Sequence, residues 1–132
     1  MPARYIADYL KGVANKLGEL GGSFVVGPDI DIDRGETRGI LSALIEFSDE
    51  SRLEVAIVSP ASGSLADWLG YSFHFMDAQK TLIFRYDSAP HHPGGEHFPH
   101  HKHVGTNEQV EDRHRPSISE VVDEIRRHVY GR

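Results

Sequence analysis

Cysteine is absent from this chain, tryptophan occurs once and methionine twice. Without thiols there can be no disulfide, no thiolate zinc site and no cysteine nucleophile, a composition that fits the reducing cytoplasm. Long apolar runs are missing too. No stretch approaches the roughly 20 residues of a membrane span, and the N-terminus lacks the charged-then-apolar pattern of a secretion signal. A cytoplasmic protein without membrane contact is the expectation. Nor is there an excess of positive charge. The formal net charge is −6 at pH 7, which argues against indiscriminate binding to nucleic acid.

What the chain does have is histidine, and it is concentrated. Of nine histidines, seven fall within residues 80–115, beside five Lys/Arg and five Asp/Glu. That segment is neutral and turns cationic as its imidazoles protonate. The remainder carries nine basic against fifteen acidic groups, so an anionic ligand has one reasonable place to bind. The 132 residues suffice for one domain, 1–132, whose core needs no staples.

Periodicity predicts an α+β fold, an antiparallel β-sheet of four to six strands flanked by an N-terminal and a C-terminal helix. Residues 3–20 place Tyr5, Ile6, Tyr9, Leu10, Val13 and Leu17 on one helical face. Ser23–Val26 and Asp29–Asp33 read as two short strands, or one interrupted at Gly27-Pro28. Residues 39–58 read as a hairpin, with Phe47 opposite Leu53 so that the apolar residues of both strands share a face. A second hairpin turns at Ala78-Gln79 and pairs Phe75 with Leu82, Phe73 with Phe84 and Tyr71 with Tyr86, an aromatic ladder on the core side. Trp68 should plug the core edge. Residues 105–115 read as a polar linker. Ser117 and Glu120 form a capping box for a terminal helix that buries Ile118, Val121, Val122, Ile125 and Val129.

Six histidines crowd into thirteen residues: His91, His92, His97, His100, His101 and His103. Packing does not call for them, since none strengthens a core as Leu or Val would. An imidazole, with an ordinary pKa of about 6.5, can donate a proton, accept one or bind a metal. Arg85 and Asp87 are two apart on one strand and project together toward this stretch. If residues 98–104 return as a strand, His101 and His103 share one face and Lys102 takes the other. Arg85, Asp87, His91, His92, His101, Lys102 and His103 are the candidate catalytic residues. They are expected to converge in one solvent-accessible pocket, with an imidazole hydrogen-bonded to Asp87.

The run Arg85-Tyr86-Asp87-Ser88-Ala89-Pro90-His91-His92, followed by His100-His101-Lys102-His103, resembles the TumE family of small prokaryotic toxin-like proteins. The likeness extends to the hairpin 38–58, the aromatic strand 71–75 and the closing helix. Ser88 stands where many relatives have Asn. The resemblance implies the toxin component of a type II toxin–antitoxin pair, with a cognate antitoxin protein as partner. It implies no settled chemistry.

Three functions compete on the residues. In the first, the chain cleaves RNA without a metal. RNA carries its own nucleophile, so a histidine acid–base pair, with Arg85 and Lys102 on phosphate and Asp87 orienting a ring, would suffice. In the second, His101 and His103, with His91 or His92 and Asp87, hold a divalent ion such as zinc that activates water. In the third, the chain is a non-enzymatic binder whose histidines read pH or an anion. The preferred expectation is the first, with RNA as substrate and no cofactor.

Overall fold

Alternating residues give this sheet two unlike faces. In the computed structural model, which describes residues 2–61, 64–90, 95–106 and 109–131, helix α1 (Pro2–Gly18) leads into seven strands. These are β1 (Ser23–Ile32), β2 (Arg38–Glu46), β3 (Arg52–Pro60), β4 (Gly70–Met76), β5 (Leu82–Asp87), β6 (His101–Val104) and β7 (Gln109–Asp112), and helix α2 (Ile118–Tyr130) follows. Every strand pairs antiparallel with the next in sequence order, so the sheet is a meander with β1 and β7 at its edges.

One face is the core. Leu41, Ile45, Leu53, Val55, Ile57, Phe73, Phe75 and Phe84 are almost wholly buried there, with Tyr71 and Tyr86 beside them. Helix α1 covers this face with Ile6, Leu10, Val13 and Leu17, and α2 with Val121, Val122 and Ile125. Each fully buried Phe, Leu or Ile contributes on the order of 1.5–3 kcal/mol. Helix α1 lies so close to β2 that a Cβ on Gly39 would strike the side chain of Ile6. Trp68 caps one edge as expected, and its indole N–H donates to the Tyr9 hydroxyl at 2.7 Å. Tyr5, by contrast, is 65% exposed and lies outside the core stripe.

Helix α2 begins as its sequence predicts. The Ser117 hydroxyl accepts from the Glu120 N–H at 3.1 Å, and the Glu120 carboxylate accepts from the Ser117 N–H at 3.2 Å. Gly131, at φ 69°, ends it in the left-handed conformation. Among the described residues no helix is long and apolar enough to cross a membrane.

Three expectations need correction. The sheet has seven strands, not four to six, because residues 109–112 of the supposed linker form β7 against β6. Strand β7 is mostly exposed and shows no apolar alternation, so backbone pairing alone marks it. The first hairpin pairs Ile45, not Phe47, with Leu53. The second pairs Phe73 with Tyr86 and Phe75 with Phe84, two residues from the expected ladder.

That two-residue displacement has two parts. The turn holds Ala78, Gln79 and Lys80, with Lys80 at φ 65° and the Asp77 side chain accepting from the N–H groups of Gln79 and Thr81. A bulge between Phe75 and Met76 supplies the second residue. One residue of slip exchanges the faces of a strand, and two restore them. The core face therefore keeps its aromatic residues.

Candidate functional site

The opposite face of β4, β5 and β6 carries the polar residues. Register places Asp87 across from Ser72 on one side and His101 on the other. Arg85 lies across from His74 and His103. Two rows of side chains thus cross the sheet next to each other, Ser72–Asp87–His101 and His74–Arg85–His103.

Asp87 is the centre. The Arg85 Nε–H donates to its Oδ2 at 2.8 Å, and the backbone N–H of Ala89 donates to Oδ1 at 3.0 Å. His101 Nε2 lies 2.9 Å from Oδ1, and His103 Nε2 lies 3.7 Å from Oδ2. The two imidazoles meet edge to face with centroids 4.9 Å apart. Asp87, His101 and His103 are only 6%, 3% and 7% exposed, so the expected convergence occurs beneath the surface and not in an open pocket.

The tautomer of His101 follows from its other nitrogen. Nδ1 lies 2.9 Å from the carbonyl oxygen of Pro99, which can only accept, so Nδ1 carries a proton and donates. Nε2 therefore faces a carboxylate oxygen with either a lone pair or a second proton. Two lone pairs at 2.9 Å repel. Something must lie between Asp87 and His101: a proton that the two share, or a cation.

The remaining candidates are placed differently. Lys102 projects to the core side, where its ammonium donates to Glu124 of α2 at 2.7 Å and lies over the Tyr86 ring at 4.8 Å. Tyr86 donates to the other oxygen of Glu124 at 2.7 Å. Burial, with the Glu124 hydrogen bond, pushes the Tyr86 hydroxyl pKa up. Lys102 does not join the cluster, because its strand neighbours His101 and His103 point the other way. His91 and His92 lie outside the described residues. His100 stacks on Tyr71 and its Nδ1 is 3.0 Å from the tyrosine hydroxyl. Burial lowers the His100 pKa and raises that of Tyr71, which favours the neutral form of both.

Strand β7 helps to fix the histidine loop. The Asp112 carboxylate accepts from the His97 N–H at 3.1 and 3.2 Å. Gly95 passes so near that any Cβ there would collide with the same carboxylate.

Two contributors are not among the candidates drawn from the sequence, although alternation puts the first of them, His74, on the face of Arg85 and Asp87. His74 shares the face and lies directly opposite Arg85, and burial followed by that guanidinium holds its pKa below the usual histidine range. The Pro99 carbonyl sets the His101 tautomer. His74 had a signal, its alternation with Phe73 and Phe75. The carbonyl had none.

Comparison with known protein families matches residues 18–131 to the family described as Toxin TumE. No curated protein and no solved structure matches the chain.

Proposed function

The chain belongs to the TumE toxin family, and from that premise we propose that it restrains growth in the cytoplasm by cleaving RNA at the Asp87–His101–His103 cluster until a cognate antitoxin neutralises it. The toxin assignment and the antitoxin partner come with the family. The chemistry rests on one observation: a buried carboxylate is contacted on one oxygen by Arg85 and on the other by His101, with His103 close by.

Cleavage of RNA by its own 2′-hydroxyl needs three things. A base must take the hydroxyl proton, positive charge must stabilise the five-coordinate phosphorane, and a proton must reach the departing 5′-oxygen. Arg85, with its side chain 28% accessible, is the phosphate-facing cation of the group, and Asp87 fixes its direction through Nε. Removing one such electrostatic contact costs reactions of this kind about 10²–10³-fold. His74 stands next to Arg85 on the same face, and its depressed pKa favours the neutral state a proton acceptor requires; it takes the 2′-hydroxyl proton and, as the imidazolium so formed, returns it to the departing 5′-oxygen. Lys102 takes no part. Its charge is engaged by Glu124 on the far side of the sheet.

Induced expression in a bacterial host tests the reading. The unaltered chain is expected to arrest growth with loss of intact RNA, and Asp87→Asn to abolish both while remaining soluble. Normal growth at verified high levels of soluble protein would remove the toxin reading. Arrest with intact RNA would remove the nuclease alone.

A further inference from the structure

We propose that Asp87, His101 and His103 bind one first-row divalent transition-metal ion, with zinc the best match to the donor set. The binding claim stands on geometry. Its role in cleavage rests on the function proposed above.

Spacing is the first argument. One oxygen of Asp87 and one nitrogen from each imidazole all lie within 4.8 Å of one another. His101 Nε2 lies 2.9 Å from Oδ1 of that carboxylate and His103 Nε2 lies 3.7 Å from its Oδ2. Bonds of about 2.0–2.1 Å give ligand–ligand edges of roughly 2.9 Å in an octahedron and 3.3–3.4 Å in a tetrahedron. The observed contacts bracket those edges. A proton on His101 accounts for the shorter contact alone. At 3.7 Å, His103 Nε2 and Asp87 Oδ2 stand a few tenths of an ångström beyond the tetrahedral edge, close enough for two ligands of one ion.

Orientation is the second. The His101 Nδ1–H donates to the Pro99 carbonyl, which turns the Nε2 lone pair toward the other two donors. Histidine ligands are held in this way by backbone carbonyls or carboxylates, which fix the ring and raise its basicity. Asp87 is held likewise, by the Arg85 guanidinium and the Ala89 N–H. The ligands come from two strands in direct register, so little chain entropy is lost on binding.

Chemistry sets the metal. Two imidazoles and one carboxylate suit zinc and its first-row neighbours, whereas magnesium and calcium prefer oxygen donors throughout. Three protein ligands leave a fourth position for water, as in hydrolytic zinc sites. Zinc lowers the pKa of such a water to about 7. The charge of the ion would then add to that of Arg85 in stabilising the phosphorane.

The test is metal binding by the full chain, purified without an affinity tag. We expect one zinc ion per chain by elemental analysis. Cobalt substitution should give the intense visible absorption of a low-coordinate, nitrogen-ligated ion. His103→Ala should weaken zinc binding by more than about 100-fold, beyond the 10–100-fold that loss of an outer partner costs, and Arg85→Ala should fall within that smaller range. Zinc bound equally well by unaltered protein and by folded His101→Ala and His103→Ala variants would overturn the site. If those variants fail to fold, the cobalt spectrum of the unaltered chain decides, and a spectrum of fully hydrated cobalt overturns it. The two readings separate cleanly. Growth arrest by a chain that binds no zinc removes the metal and keeps the toxin, and zinc binding by a chain that leaves growth normal does the reverse.

Discussion

Strand β6 supports two buried electrostatic arrangements, one on each face, and they are built differently. On the core side, Lys102 meets Glu124, and Tyr86 satisfies the second carboxylate oxygen. Charges balance, and both carboxylate oxygens have strong donors. On the other side, Asp87 faces Arg85 and two imidazoles, so one negative charge stands against three groups able to be positive. Exposure does not distinguish them, since Lys102 at 8% is as hidden as His103 at 7%. Completeness does. The balanced arrangement ties α2 to the sheet, and the unbalanced one is poised for an ion, a proton or a phosphate.

The sharpest way to break that contrast is to remove one charge on the structural side. Lys102→Met leaves the partly buried Glu124 without its ion-pair partner, and should cost less than the roughly 3–5 kcal/mol of a fully buried pair. In Lys102→Met/Glu124→Gln both charges are gone and Tyr86 still has an acceptor, so most of the stability should return. Urea unfolding of the single and double variants measures the recovery. The double variant should still arrest growth. If it regains stability without regaining arrest, Lys102 belongs to the site and the contrast between faces fails.

How much of this could be read beforehand depended on period-two alternation. It placed Phe73, Phe75, Phe84 and Tyr86 in the core, grouped Arg85 with Asp87, and put His101 and His103 on one side. It also placed Lys102 on the other side, and counting Lys102 in the site followed chain proximity within His-His-Lys-His against that alternation. Register was not legible. Both hairpins turn through a left-handed residue that is not glycine or asparagine, Glu50 at φ 67° and Lys80 at φ 65°, so the usual turn signal was absent. Strand β7 escaped because an exposed edge strand requires no apolar pattern. The expectation of a solvent-accessible pocket treated the histidines as surface groups, and the burial of His101 and His103 is a tertiary property that the loop composition does not encode.

A smaller effect is expected where neither arrangement is touched. Ser117→Ala removes the hydroxyl that accepts from Glu120 N–H and half of the capping box. It should cost about 1 kcal/mol, read as a lowered urea midpoint with an unchanged slope. Growth arrest should persist, because the cap supports α2 and not the open face. Arrest lost at full stability would tie α2 to function and weaken the division drawn here.

The least effect, and the most specific to the open face, concerns His74. Burial and the neighbouring Arg85 hold its pKa below the ordinary value of 6.5, while Glu54 partly opposes them. The unfolded chain therefore binds a proton there more readily than the folded one. The stability this contributes is present above about pH 6.5 and is lost as pH falls through the depressed folded value. His74→Gln cannot titrate, so its unfolding free energy should decline less than that of the unaltered chain between neutral and mildly acidic pH. The difference between the two proteins isolates His74 from the other histidines, whose titrations are common to both. His74 is only partly buried, so the divergence should be slight and should shrink further at high salt, where its repulsion from Arg85 is screened. Parallel stability curves would mean that burial and Arg85 together do not lower the proton affinity of His74 in solution. His74 would then have no claim to the role of base, and a different group would take the 2′-hydroxyl proton.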